Sequence, residues 1–236
     1  MNIRKVNFIA VIFFILISQN LTAQLTINQI IDKHLDVIGL KSGNEIKSFE
    51  ISGDLIQNKF TLPMEMFGIM PDYQLMNMMF NGIAFIKASN GEFDWELNPM
   101  KDTLTIKKGK KSQAKNFYSR WTGGLSEFKS GEITGELLGI VNIEDIEVYK
   151  LKLQKDNKTR IYYIDKLSFL IVRIDDEDPE KQKMTYYSDY KKVDGFLLAH
   201  KLIGFEFGQQ VMVMKFNSVK INIEIEKEIF NVPDND

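Results

Sequence analysis

The sequence alternates between apolar and charged side chains over Glu147–Gln154 (EVYKLKLQ), and this stretch decides the fold. Every second residue from Tyr149 to Leu153 is apolar, and the two residues between them are lysines. Because successive side chains of a β-strand point to opposite faces of a sheet, this period of two predicts a strand with one buried face. The turn-forming residues Lys155–Lys158 follow at once, so the chain is predicted to reverse there into a second strand.

Short apolar stretches separated by turn residues continue in both directions from this point. The strands predicted after the turn are Arg160–Ile164, Phe169–Ile174, Lys183–Tyr190, Phe196–Leu202 and Gln210–Ile223. Those predicted in the first half are Phe49–Asn58, Lys59–Phe67, Tyr73–Phe80, Ala84–Ser89, Phe93–Leu97 and Thr103–Lys107. Such spacing is typical of an antiparallel meander, and one long sheet must curl or close to protect its edges.

A helix is predicted before the first strand. Thr26 and Gln29 have the spacing of a capping box, in which each side chain binds the backbone N–H of the other residue. Apolar residues then recur at helical spacing as far as Ile38, with His34 on the same stripe, and Gly39 has the position of a helix C′ residue.

The segment Ser112–Lys129 interrupts the strands and predicts one or two short helices. Its large apolar residues recur at spacings of four, four and three, namely Phe117, Trp121, Leu125 and Phe128. That spacing places them on one helical face, and the pair Gly123-Gly124 predicts a break or a hinge between two helical pieces.

Composition excludes several classes of protein. The chain has 236 residues and a formal net charge of −2, whereas a protein that binds nucleic acid through phosphate contacts is usually basic, so no nucleic-acid partner is expected. There is no cysteine, so disulfides, thiolate catalysis and cysteine-ligated metals are excluded. Two histidines are too few for a convincing metal site.

The sequence lacks the common catalytic motifs. It contains no G-x-S-x-G, no H-E-x-x-H, no P-loop and no dinucleotide-binding glycine motif. The aspartates at predicted turns, such as Asp165 and Asp194, are common there because their side chains bind nearby backbone N–H groups. We therefore predict a protein that is not an enzyme, with no catalytic residues, no metal and no cofactor.

The N-terminus has the pattern of a secretory signal peptide. Arg4 and Lys5 precede the apolar stretch Val6–Ile17, and small and polar residues lead to a cleavage site after Ala23. The apolar stretch is too short for a membrane-spanning helix, which needs about 20 residues. We expect residues 1–23 to be the signal peptide and residues 24–236 to form one domain, which is periplasmic and, without a cysteine, not lipidated.

Methionines cluster in the first half of the predicted sheet. Six of the eleven methionines fall within sixteen residues, at Met64, Met66, Met70, Met76, Met78 and Met79, and Met212 and Met214 form a second pair. Methionine is flexible, and surfaces that accept varied apolar ligands are rich in it. Two interpretations stay open, an ordinary core and an adaptable apolar groove under the aromatic helical segment.

Several segments, taken in order, resemble the LolA/LolB-like outer-membrane lipoprotein-sorting superfamily, and more narrowly its secreted members in Bacteroidetes-type bacteria. They are Asn90–Pro99, Tyr162–Asp165, Ile171–Arg173, Ser188–His200, Val219–Asn222 and Phe230–Pro233. The resemblance implies a mainly β (α+β) fold, an incomplete antiparallel β-barrel of about 10–11 strands. Its concave side would be covered by the N-terminal helix and a short helical lid.

The resemblance also implies a function, a carrier or binding protein that shelters the acyl chain of a lipid or lipoprotein in an apolar groove. A membrane-associated donor or acceptor protein would be a further partner. The ligand-binding residues expected are Met64, Met66, Met76, Met78, Trp95, Phe117, Trp121, Met212 and Met214. The alternative is an envelope-stress sensor or protein-interaction module of the same fold. Which residues face inward depends on the strand register, which the sequence does not fix.

Overall fold

The computed structural model describes residues 25–40, 43–101, 103–108, 113–126, 134–155, 158–177, 180 and 182–233. These residues form one antiparallel sheet of 13 strands with two α-helices. The first six strands are β1 (Ser48–Gln57), β2 (Phe60–Ile69), β3 (Tyr73–Phe80), β4 (Ile83–Asn90), β5 (Phe93–Asn98) and β6 (Thr103–Lys108). The other seven are β7 (Thr134–Ile143), β8 (Ile146–Lys155), β9 (Lys158–Asp165), β10 (Ile171–Asp176), β11 (Lys183–Val193), β12 (Phe196–Glu206) and β13 (Gln209–Ile221).

The sheet consists of two meanders joined along their first and last strands. Its strand order is β6-β5-β4-β3-β2-β1-β13-β12-β11-β10-β9-β8-β7, so β1 pairs with β13 in the middle. We call β1–β6 the N-terminal half-sheet and β7–β13 the C-terminal half-sheet. Within the described residues β6 and β7 are not paired with each other, so the sheet is open, as an incomplete barrel requires.

The strand count of 13 exceeds the 10–11 that the resemblance implies and is one more than the twelve strands predicted from the sequence pattern. The strand missing from the sequence prediction is β7, and its register shifts between Leu137 and Gly139 where it pairs with β8. A bulge of this kind places an extra residue in one strand, so the apolar side chains lose their period of two. The remaining strands lie within a few residues of their predicted bounds, and Tyr73–Phe80 agrees at both ends.

The N-terminal helix, α1 (Ile27–Val37), has the predicted start and end. The Thr26 backbone N–H donates to Gln29 Oε1 at 2.9 Å, and the Gln29 backbone N–H donates to Thr26 Oγ1 at 3.3 Å, which completes the capping box. At the other end, Gly39 has a φ of +81°, and the N–H of Leu40 donates to the carbonyl of Leu35 at 2.8 Å. This is a Schellman motif, which satisfies carbonyls that the last helical turn leaves without partners.

The main core lies on one face of the sheet, which we call the inner face and define by Phe49, Ile51 and Met66. Both helices pack on this face, since Ile30, Ile31, His34 and Leu35 of α1 are buried and α2 (Gln113–Trp121) contributes Phe117 and Trp121 to the same core. The opposite face, which we call the outer face, carries a smaller cluster around Val148, Ile161 and Tyr163.

The predicted signal peptide lies outside the described residues, so residues 1–23 stay a prediction. Among the described helices, neither is long and apolar enough to cross a membrane.

Candidate functional site

The middle of the inner face is filled by aromatic side chains from α2 and the two central strands. The ring of Trp121 lies 6.1 Å from that of Phe49 on β1 and 6.2 Å from that of Phe216 on β13, measured between ring centroids. Phe117, one helical turn earlier, lies 5.3 Å from Phe49. The helix is therefore an integral part of the core where the two half-sheets meet.

Two hydrogen bonds attach the C-terminal end of α2 to the C-terminal half-sheet. The indole Nε1 of Trp121 donates to the carbonyl of Ala199 on β12 at 2.9 Å. The hydroxyl of Tyr187 on β11 donates to the carbonyl of Arg120 at 2.7 Å. Burial raises the pKa of Tyr187, so this hydroxyl stays protonated and able to donate. These bonds satisfy polar groups that are removed from water, and they fix the position of Arg120.

The glycine after α2 allows the chain to approach the sheet closely. Gly123 has a φ of +80°, and a Cβ atom at this position would collide with the side chain of Ile171 on β10. The predicted Gly123-Gly124 break therefore ends the helix and turns the chain onto the C-terminal half-sheet.

The inner face of the N-terminal half-sheet carries an apolar cavity of about 390 Å³, which we call the methionine hollow. The register pairs Met64 with Met78 and Met66 with Met76, so all four side chains lie on the inner face. The residues lining the hollow are Leu55, Gln57, Asn58, Phe60, Leu62, Met76, Met78, Phe80, Phe85 and Lys87. Most of these side chains are apolar and bring no charge, so the cavity favours hydrocarbon over polar groups.

A second cavity of about 320 Å³, the polar hollow, adjoins the methionine hollow and shares Met76 and Lys87 with it. It is bordered by charged inner-face residues of β4, β5 and β6. Lys87 Nζ lies 3.3 Å from Glu96 Oε2, and Asp94 is the cross-strand partner of Lys107. The polar hollow therefore places paired charges directly beside the apolar cavity.

A third cavity of about 720 Å³, the charged hollow, lies between α2 and the C-terminal half-sheet. Leu153, Tyr162 and Met212 line its apolar part. Two ion pairs line its polar part, with Arg160 Nε 2.6 Å from Asp176 Oδ1 and Lys183 Nζ 2.7 Å from Glu206 Oε1. Arg120 lines both this hollow and the polar hollow.

Comparison with known proteins rests on structure, since no protein-family model and no curated protein sequence matches the chain. A LolA superfamily protein from Nitrosomonas europaea has a TM-score of 0.55 at 10% identity, over 89% of this chain and 99% of that chain. The chain has the LolA-like fold. The predicted resemblance is thus confirmed for the fold.

Two further structures have a fold similar to that of this chain. A DUF1329 family protein from Desulfovibrio piger has a TM-score of 0.58 at 14% identity, over 86% of this chain and 96% of that chain. A protein from Vibrio parahaemolyticus, described as an outer membrane lipoprotein-sorting protein domain, has a TM-score of 0.55 at 13% identity. The alignment covers 85% of this chain and 97% of that one.

Most of the predicted binding residues lie on or against the inner face of the LolA-like sheet, either partly buried or within the core. Met76 and Met78 line the methionine hollow, and Met212 lines the charged hollow. Met214 is partly buried beside the core. The four residues that lie within the core are Met64, Met66, Phe117 and Trp121.

The indole of Trp95 lies apart from the other predicted binding residues, although Trp95 is among the residues that line the polar hollow. It pairs with Ala88, and its indole Nε1 donates at 2.9 Å to the carbonyl of Phe230 in the C-terminal segment. The ring of Phe230 packs on Tyr73, 5.6 Å between centroids. Tyr73 is three residues from the inner-face residue Met76 on β3, so the side chains of these two residues point to opposite faces of the sheet. The Trp95 indole, which bonds to the segment that packs on Tyr73, therefore lies on the outer face.

Sequence reasoning missed several residues of the hollows. Phe60, Leu62, Phe80 and Phe85 line the methionine hollow together with Met76 and Met78. Phe60 and Leu62 are in phase with Met64 along β2, so the period of two could have identified them once the inner face was known. Arg160 and Lys183 of the charged hollow are near strand ends and carry no such signal. No group of three or more His, Asp or Glu residues in the described part of the chain is arranged to hold a metal.

Proposed function

We propose that this protein is a periplasmic carrier or binding protein that shelters an acyl chain of a lipid or lipoprotein on the inner face of its LolA-like sheet. The methionine hollow is the observation that carries the proposal. Its volume of about 390 Å³ falls within the range of small-molecule sites, about 300–1,000 Å³. The protein performs no covalent chemistry in this proposal.

The driving force would be the removal of hydrocarbon from water. Each buried CH₂ group contributes about 0.8 kcal/mol, and the flexible side chains of Met76 and Met78 can adapt to chains of different length. The resemblance in fold to a lipoprotein-sorting domain supports the same class of ligand and a location in the cell envelope. Delivery would require membrane-associated donor and acceptor proteins.

The first experiment asks whether the protein holds lipid. Protein purified from its native envelope is extracted with organic solvent, and the extract is examined by mass spectrometry. We expect a stoichiometric lipid or acylated peptide, together with uptake of the apolar dye Nile red by delipidated protein. Protein that neither retains lipid nor takes up the dye, where a known lipoprotein carrier does both, would refute the proposal.

Two neighbouring methionines provide a matched pair of variants. Met78 lines the methionine hollow, whereas Met79 lies on the outer face of β3, where it lines a different cavity. Met78→Gln places a polar group of similar size in the hollow and should weaken dye and lipid binding about tenfold, since the amide loses its water when an acyl chain enters. Met79→Gln is the control and should bind as the wild type does. Equal effects of the two variants would place the ligand elsewhere.

A second candidate function, binding of a protein segment, is favoured by one observation. On the edge strand β7, Leu138 and Ile140 are each 41% exposed. An edge strand with exposed apolar side chains can pair with an extended peptide from another chain. Capture of one stoichiometric protein by the lipid-free protein, lost on Ile140→Lys, would support this function over lipid transport.

A further inference from the structure

Arg120 occupies the place where two of the three hollows meet. Arg120 lines both the charged hollow and the polar hollow. The polar hollow in turn shares Met76 and Lys87 with the methionine hollow. The backbone at this point is fixed, because the carbonyl of Arg120 accepts the hydrogen bond from Tyr187. The side chain itself is exposed.

The other cations around these hollows face carboxylates. Arg160 pairs with Asp176 and Lys183 pairs with Glu206 in the charged hollow. In the polar hollow, Lys87 pairs with Glu96 and Lys107 stands opposite Asp94 across the strands. These four cations and four carboxylates leave no net charge.

Arg120 is the charge in excess. No ion pair between residues of the described ranges includes it, and the hydrogen bond found for its side chain is a long one, 3.4 Å from Nε to the carbonyl of Asn116. A guanidinium group offers five N–H donors in a planar fork that fits a carboxylate or a phosphate. Among the described residues, the lining of the charged and polar hollows therefore has one positive charge in excess, which a bound anion would neutralise.

We propose that Arg120 binds the anionic head group of an amphiphile whose hydrocarbon chain lies in the methionine hollow. The inference rests on the proposed function and names its ligand class, an amphiphile with a carboxylate or phosphate head. The polar hollow between the two positions admits the polar part of the molecule, while the chain extends past Met76 towards Met78. Charge-assisted hydrogen bonds from a guanidinium are stronger than those between neutral groups, so the head group adds selectivity to the affinity that the chain provides.

The test compares ligands that share a chain and differ in the head. Delipidated protein is titrated calorimetrically with dodecanoate, dodecyl phosphate and dodecanol at about pH 8, where the carboxylic acid is ionised. The two anionic amphiphiles should bind about tenfold more tightly than dodecanol, the effect of one hydrogen-bonded charge. Arg120→Gln should reduce this ratio to about one, and Arg120→Lys, which keeps the charge without the fork, should retain part of it. Lys192→Gln, which removes an exposed cation of β11 outside the hollows, is the control and should retain the full ratio.

The possible failures are distinguishable from one another. Equal binding of dodecanol and the anionic amphiphiles by the wild type, or a preference that survives in Arg120→Gln, would overturn the inference and leave the proposed function standing. Displacement of dodecanoate by acetate or inorganic phosphate at equal concentration would show that the site takes a free anion, which also overturns it. Failure of every amphiphile to bind would refute the proposed function and this inference together.

Discussion

The two half-sheets have inner faces of different character. The N-terminal half-sheet lines its cavity with methionine and phenylalanine, whereas the C-terminal half-sheet lines a larger cavity with tyrosine and two ion pairs. The helices account for part of the difference. His34 and Ile38 of the α1 region bond to the C-terminal half, through the carbonyl of Phe169 and the N–H of Leu197. The comparison indicates that the C-terminal half holds α1 by hydrogen bonds, whereas the inner face of the N-terminal half contains an apolar cavity.

The core under α2 contains residues of both half-sheets, so Trp121→Ala should give the largest loss of stability among these variants. The substitution removes a side chain that is 2% exposed, together with its contacts to Phe49 and Phe216 and its bond to Ala199. We expect the free energy of unfolding, measured by urea titration with circular dichroism, to fall by about 3–5 kcal/mol. Hydrogen exchange should accelerate in both half-sheets.

Trp95→Ala provides the comparison for this experiment. Because the Trp95 indole belongs to the outer face and bonds to Phe230, its loss should accelerate hydrogen exchange in the N-terminal half-sheet and leave β8–β11 protected. If both variants gave the same exchange pattern, the two halves would form a single cooperative unit, and the distinction between them would not extend to stability.

The attachment of α1 to the C-terminal half should depend on pH. His34 is buried, and its Nδ1 lies 2.8 Å from the carbonyl of Phe169, which can only accept, so the neutral ring carries its proton on Nδ1. Its Nε2 is buried without a hydrogen-bond partner among the described residues. Desolvation by burial lowers the pKa of His34 from 6.5 to about 4, since protonation would place a charge in the core, and the backbone groups of Phe169 and Thr122 offset only part of this effect.

The folded-state pKa is lower than the unfolded one, so the contribution of His34 is fully present above pH 6.5 and is lost as the pH falls towards 4. Over this window the free energy of unfolding should fall by about 3 kcal/mol through His34 alone. The measurement is urea unfolding of the wild type and His34→Gln across that range, and the difference between them should shrink on acidification. A difference that stays constant with pH would show that His34 does not titrate differently in the two states.

The hydrogen bond between Tyr187 and α2 involves only the C-terminal half-sheet, and its removal should give the smallest loss of stability. Tyr187→Phe removes the hydroxyl that donates to the Arg120 carbonyl and should lower the free energy of unfolding by about 1 kcal/mol. Tyr186→Phe is the control, because this neighbour pairs with Arg173 on the outer face and should cost less than about 0.5 kcal/mol. A larger loss for Tyr186 would mean that the outer face contributes more to the C-terminal half than α2 does.

Local patterns predicted most of the fold, because strands, caps and turns depend on residues near each other in sequence. The capping box at Thr26 and the helix end at Gly39 are examples, and so are most strand bounds. The bulged strand β7 was missed since its extra residue disrupts the alternation. The sequence analysis also missed four residues that line the methionine hollow, namely Phe60, Leu62, Phe80 and Phe85. Which residues line a cavity depends on which strands are neighbours, and no local pattern shows this.

The sequence by itself determined an antiparallel meander with an N-terminal helix, an aromatic helical segment and a cluster of methionines. These follow from period, capping and composition, all of which act over short distances along the chain. Only the tertiary structure decided that the Trp95 indole lies on the outer face, that Trp121 fills the junction of the half-sheets and that Arg120 stands between two hollows. The reason is that a shift of one residue in strand register exchanges the two faces, and register is fixed by pairing between distant segments such as β1 and β13.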